Sequence, residues 1–277
     1  MRRRQGGSDL PEHALAQLHQ LRERVLDNSR LTPGDTVLDI GCGDGLIGLG
    51  ALERLSPDGR VIFSDISADL LDRVRELATA ASAADRSAFL QTAAEDLSSL
   101  PDSSVDVVAV RSVLIYVADK SRALGEFHRV LRTGGRLSLF EPINRFTWPE
   151  PPDLFYGYNL APVSDLLAKV RAVYDGYEDA QRPMLDFDER DLLRLVESAG
   201  FAEVHMDYRV DIERRTAEEP DRFLATSANP LVPTLDGAID AALTAPERDR
   251  FEACLRPLVQ RGEGTRRMAA AFVSADK

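Results

Sequence analysis

Two cysteines in 277 residues, Cys42 and Cys254, are too few and too far apart for a disulfide framework, and neither has the paired spacing of a zinc site. Histidine is equally scarce. With four in the chain, and His205 standing by itself in a late strand pattern, no metal constellation can be drawn. Long apolar runs are missing too. The longest, Val105 to Val117, is cut by Asp106 and Arg111, short of the roughly 20 residues a membrane helix requires. The start, MRRR, lacks the apolar stretch of a secretory signal, so a soluble cytoplasmic protein with no membrane partner is expected. Basic charge is outnumbered: 34 Lys and Arg face 46 Asp and Glu, and a net charge of −12 works against loose association with nucleic acid.

What the chain has is strand and helix in alternation. Apolar β-rich runs occur at Thr36 to Ile40, Arg60 to Asp65, Ala88 to Gln91, Val105 to Arg111, Arg136 to Glu141, Glu203 to Val210 and Met268 to Ser274. Helical spacing fills Leu46 to Leu55, Ala68 to Ala80, Lys120 to Leu131 and Glu189 to Ala199, with Gly134, Gly135 and Gly200 where helix ends favour glycine. The expectation is an α/β fold: a Rossmann-like, seven-stranded, mostly parallel sheet with helices on both faces and the last strand antiparallel, its ligand bound at the carboxyl ends of the strands. Residues 1–30 read as a mobile arm, Met1 to Ser8, and an amphipathic helix, Pro11 to Leu26. Residues 31–277 read as the main domain. Two segments interrupt it, 142–186 and 211–267, and such long connections serve as lids or added subdomains.

The first strand runs into a glycine turn, Val37-Leu38-Asp39-Ile40-Gly41-Cys42-Gly43-Asp44-Gly45. Glycines at 41, 43 and 45, between a strand and a helix, let the backbone turn tightly and bring its N–H groups close to a ligand. Asp39 sits inside the apolar run, where a carboxylate without a partner is expensive; it either caps the turn or meets a ligand. Asp65 ends the second strand in Val61-Ile62-Phe63-Ser64-Asp65, the place where such sheets grip the hydroxyls of a ribose. A competing register, Gly43-x-Gly45-x-x-Gly48, satisfies the NAD or FAD fingerprint. That fingerprint follows its strand at once, whereas Gly41 and Cys42 intervene here.

These motifs resemble those of the class I S-adenosylmethionine-dependent methyltransferases, over roughly Val37 to Glu141. VLDIGCGDG is similar to the family's first motif, VIFSDIS to its ribose-binding second, and Ala94-Glu95-Asp96-Leu97 to its adenine-side loop. The run VDVVAVRSVLIYVADKSRALGEFHRVLRTGGRLSLFEP resembles the fourth strand, helix and fifth strand of the family's small-molecule branch, the quinone-pathway and natural-product enzymes. The resemblance implies S-adenosylmethionine as cofactor, with Gly41, Gly43 and Gly45 along its methionyl part, Asp39 near its ammonium, and Asp65 with Ile66 at the ribose side. Many relatives carry Gly-Asp-Ala where this chain has Thr92-Ala93-Ala94, which leaves the adenine amino group to Glu95 or Asp96. Arg111, at the end of the fourth strand, is a further cofactor candidate.

A sulfonium methyl is already activated, so the protein's task is to bind, exclude water and align the acceptor. Catalytic candidates at the strand ends are Glu141, Tyr116 and Arg111. Each also has a plain structural reading: loop cap, packing residue or ion-pair partner. Substrate candidates are Asn144 and the aromatic stretch after it, with Trp148, Tyr156 and Tyr158, which form either a cover or the private core of the insertion. The implied reaction is methyl transfer to oxygen, nitrogen or carbon of a small organic metabolite, by a monomer or homodimer with no metal. The alternatives are a protein or nucleic-acid methyltransferase, and a binding protein that keeps the cofactor without transfer. Against the former stand the acidic balance and the lack of an Asn-Pro-Pro-aromatic tetrad after the fourth strand.

Overall fold

The computed structural model describes residues 12–227 and 231–277; the arm Met1 to Ser8 and Pro11 lie outside the described residues. In chain order the elements are α1 (Glu12–Asn28), β1 (Thr36–Ile40), α2 (Leu46–Arg54), β2 (Arg60–Asp65), α3 (Ala68–Ala80), β3 (Ser87–Gln91), β4 (Val105–Arg111), α4 (Lys120–Val130) and β5 (Leu131–Pro142). Then follow β6 (Leu154–Phe155), β7 (Tyr158–Asn159), α5 (Ser164–Asp175), α6 (Glu178–Leu185), α7 (Glu189–Ser198) and β8 (Ala202–Arg214). The chain closes with α8 (Pro220–Leu224), α9 (Leu235–Ala242), α10 (Ala245–Arg261) and β9 (Thr265–Asp276).

Seven strands form one sheet in the order β3-β2-β1-β4-β5-β9-β8. β1 pairs parallel with both β2 and β4, and β9 pairs antiparallel with β5. The fold is the mostly parallel α/β sheet that the alternation implied. Because β1 is followed on one side by β2 and on the other by β4, the strand order reverses there, and the carboxyl ends of β1 and β4 are where sheets of this kind bind their ligands. Val37, Leu38 and Ile40 of β1 and Val107 to Val110 of β4 are all buried, as strands covered on both faces require.

The chain divides into two compact units. Unit 1 comprises residues 1–142, 189–208 and 270–277, and unit 2 residues 143–188 and 209–269. The N-terminal helix belongs to unit 1: Val25 and Leu26 of α1 share a core cluster with Val37, Val61 and Phe63, and the Ser138 hydroxyl donates to the Val25 carbonyl at 2.7 Å. Unit 2 has its own core, built from Phe155, Tyr158, Leu166, Phe223, Phe251 and Leu255 among others. Its longest helix, α10, opens with a capping box in which Thr244 N donates to the Glu247 carboxylate at 2.9 Å.

Two sequence expectations need correction. Gly134 and Gly135 do not end a helix: α4 stops at Val130, capped by Leu131, and both glycines lie within β5. There the register with β4 jumps from Val105↔Leu131 to Val107↔Arg136, and Gly134 takes the left-handed φ of 78° that the bulge demands. β8 and β9 also run longer than their apolar cores suggested, so the segment between them begins after Arg214 rather than at Asp211. Gly200 does lie just past α7, at φ 94°, and its N–H donates to the Glu197 carbonyl at 3.0 Å.

Candidate active site

Four loops of unit 1 meet the carboxyl edge of its parallel strands. The first, after β1, holds Gly41, Gly43 and Gly45 at φ of 58°, 57° and 83°, a run that side-chain-bearing residues resist. A Cβ on Gly41 would lie 2.5 Å from Val113, so this glycine lets the loop after β4 approach. In front of Gly43 a Cβ would meet only the Gly41 carbonyl oxygen, at 4.0 Å, which leaves a cradle lined by backbone.

Two acids hold this turn. Asp39 is buried, and its carboxylate accepts from Gly48 N at 2.8 Å. Burial pushes its pKa up to about 7, against the pull of the Gly48 N–H and the nearby Arg111 charge. Gly48 is a structural partner rather than part of a dinucleotide fingerprint: inside α2, its missing Cβ would sit 2.3 Å from the Phe63 ring and 2.9 Å from Asp39. Asp65 spans two loops, accepting from Gly43 N at 3.1 Å and Ser67 N at 2.9 Å. Beside it Ile66 stands 64% exposed, an apolar side chain left open at a strand end.

The third loop follows β3. Ala94 is buried, and Asp96 is exposed, accepting from Ser98 N at 3.3 Å; its hydrogen bonds with Ser98 lower its pKa. Glu126 and Arg129 of α4, which sequence reasoning passed over, pin the loop from behind. Leu97 N donates to Glu126 at 2.9 Å, while Arg129 donates to the carbonyls of Leu97 at 2.8 Å and Leu100 at 2.9 Å. The Glu126-x-x-Arg129 spacing on one helix face was the available signal.

The fourth loop, after β4, carries Arg111 at its start and Tyr116, half exposed, at its end. Arg111 makes no side-chain hydrogen bond or ion pair with the described residues. Glu141 is fully buried behind this loop: its carboxylate accepts from Val113 N and Leu114 N, both at 2.9 Å, and from Ile115 N at 3.3 Å. Burial drives its pKa up to about 7, opposed by those three N–H groups and by Lys120. Of the two readings open for Glu141, the geometry favours the loop cap over a base facing substrate.

In unit 2, Asn144 caps a short turn through its carbonyl, which accepts from Thr147 N and Trp148 N at 2.9 Å. Trp148 and Tyr156 pack edge to face, their ring centres 5.4 Å apart, and both stay partly open. Tyr158 is different. It is fully buried, its ring edge to face with Phe223 and its hydroxyl taken by Arg215 at 3.1 Å, so it is core rather than a substrate contact. Glu150, also missed, holds the hairpin that carries these rings by accepting from Tyr156 N at 2.7 Å and Gly157 N at 2.8 Å. A cavity of about 310 Å³ elsewhere in unit 1, lined by Arg30, Arg136, His205 and Phe272, shares none of the carboxyl-edge residues.

Residues 38–139 match the family described as "Methyltransferase domain". The ubiquinone/menaquinone biosynthesis C-methyltransferase of Hahella chejuensis (strain KCTC 2396) is 32% identical over 188 residues, which is 66% of this chain and 74% of the relative. The chain is a class I S-adenosylmethionine-dependent methyltransferase. Among solved structures, the YcgJ protein of Bacillus subtilis aligns over 94% of this chain and 98% of its own, with a TM-score of 0.57 at 17% identity. A geranyl diphosphate methyltransferase in complex with S-adenosylmethionine covers 98% and 92%, with a TM-score of 0.54 at 17% identity. Both share the fold. The enzyme's cofactor is S-adenosylmethionine, and the backbone cradle at Gly43 with acids at both neighbouring strand ends fits it. Among the described residues of the methyltransferase no group of three or more His, Cys, Asp or Glu is placed to hold a metal ion, and no helix is long and apolar enough to cross a membrane.

Proposed function

We propose that this methyltransferase acts on an oxygen, nitrogen or carbon atom of a small organic metabolite, with unit 2 as the substrate cover. The carrying observation is the convergence of the Gly41–Gly45 turn, Asp65 and the Arg111–Tyr116 loop at the carboxyl ends of three adjacent strands. Asp65 would hold the ribose hydroxyls, Ile66 and the 94–96 loop the adenine, and the glycine turn with Asp39 the methionyl part. Bound there, the cofactor supplies a methyl group on a sulfonium, already activated for displacement. The protein's own share is positioning. Glu141 fixes the backbone of residues 113–115 and thereby the turn that carries Tyr116, half exposed and the candidate acceptor contact.

The relative from Hahella is a C-methyltransferase of quinone biosynthesis, which favours carbon as the accepting atom and a ring compound as acceptor. The cover reading draws support from chain order: unit 2 begins at Ile143, directly after the carboxyl end of β5, and places Trp148 and Tyr156 on its first loop. A labelled-methyl assay against a fractionated metabolite extract tests the proposal. Label in a small organic product supports it. Label found only in protein or nucleic acid, or none despite measurable cofactor binding, overturns it.

A further inference from the structure

β8 is the terminal strand of the sheet, and among the described residues nothing pairs with its outer edge. An unprotected edge of thirteen residues is a ready template for another strand. Past Glu203, whose φ of 47° interrupts the extended run, the strand alternates. Val204, Met206, Tyr208, Val210 and Ile212 share one face, and the last three are 38%, 41% and 55% exposed. The opposite face carries charged and polar residues at every odd position from His205 to Glu213.

We propose that this edge pairs with the same edge of a second copy, antiparallel, about a two-fold axis through Tyr208, and so continues the sheet across a homodimer. An isologous contact requires that the strand complement its own reverse. About Tyr208 it does. Asp207 falls opposite the partner's Arg209 and His205 opposite the partner's Asp211, each pair occurring twice. On the other face Val204 meets the partner's Ile212 and Met206 the partner's Val210, so the most exposed apolar side chains gain apolar neighbours. The outermost pair, Glu203 and Glu213, would be of like charge, and the φ of 47° at Glu203 takes it out of the regular ladder. An axis at Asp207 or Arg209 would set identical charges against each other, and an axis between residues would set the apolar face against the polar one. The ion pairs that Asp207 makes with Arg24, at 2.7 Å, and Arg209 with Asp211, at 2.8 Å, are solvent-exposed and cheap to share.

Sedimentation of the full chain tests this. The wild type is expected to dimerise reversibly. Arg209→Glu or Asp207→Lys alone should weaken the dimer about tenfold, and the double variant, which restores opposite charges, should regain most of it. Recovery in the double variant also excludes misfolding as the cause of the single losses. The register is read by oxidation in a Cys254→Ser background, with Cys42 buried: Tyr208→Cys should cross-link two chains, since its Cα atoms face each other, and Met206→Cys should not. A chain that stays monomeric at its highest soluble concentration, or cross-linking at 206 instead of 208, overturns the proposal.

Discussion

Asp65 is asked to do two things with one carboxylate: hold the N–H groups of Gly43 and Ser67, and leave lone pairs for a ribose. Asp65→Asn keeps the shape but turns an NH2 toward one of those donors and removes the charge. Loss of charge-assisted bonds worth roughly 1.5 to 3 kcal/mol should weaken S-adenosylhomocysteine binding at least about tenfold in titration calorimetry. An unchanged affinity with an intact circular dichroism spectrum would place the ribose elsewhere. Asp39 and Glu141 make the second residue-scale case. Both sit near pKa 7 in the fold, raised from ordinary carboxylate values by burial, so the native state binds more protons than the unfolded chain between about pH 4 and 7. Their contribution to stability is therefore fully present below about pH 4 and is lost as pH rises toward 7. Urea unfolding across that window should show a declining term that Asp39→Asn and Glu141→Gln each flatten; a slope unchanged in both variants would refute the assignment. Gly48 is the third. A Cβ 2.3 Å from the Phe63 ring cannot be accommodated in place, and Gly48→Ala should cost about 1 to 3 kcal/mol in unfolding free energy. A variant as stable as the wild type would mean that α2 can shift away from β2 freely.

At the scale of elements, the aromatic stretch after β5 separates into core and surface. Tyr158→Ala removes a fully buried ring that packs on Phe223 and takes a hydrogen bond from Arg215, so a loss of about 3 to 5 kcal/mol is expected, read in thermal or denaturant unfolding. Trp148→Ala removes a ring that stays partly open, and if it contacts acceptor it should depress turnover while leaving cofactor affinity intact. Equal turnover would confine Trp148 to packing against Tyr156. The sheet was legible because parallel strands buried on both faces are continuous apolar runs, and the glycine turn because three glycines in five residues have few other uses. What escaped were contacts between distant segments. Glu126 and Arg129 look like an ordinary helical ion pair until the 97–100 carbonyls are seen behind them. Glu141 looked available for chemistry because its position at a strand end was readable, whereas the three N–H groups that occupy it lie about 27 residues upstream. Gly134 and Gly135 followed a helix closely enough to resemble its cap. The bulge they serve depends on pairing with β4, which local spacing does not encode.

For the whole molecule, the decisive question is whether unit 2 responds to what unit 1 binds. Its core is built from its own residues, with Phe155, Tyr158, Phe223 and Phe251 fully or almost fully buried. The chain crosses between the units four times, at 142/143, 188/189, 208/209 and 269/270, and two of those crossings lie within the long strands β8 and β9. Of the other two, the one at 188/189 precedes a helix and the one at 142/143 follows the last residue of β5. Hydrogen exchange then has a specific expectation. With S-adenosylhomocysteine bound, residues 143–160 should gain protection because they carry Trp148 and Tyr156, while α9 and α10, which each bury one face in the core of unit 2, should exchange as before. Protection confined to unit 1, with or without acceptor, would leave unit 2 without a part in binding and move the source of specificity to the loops after β3 and β4.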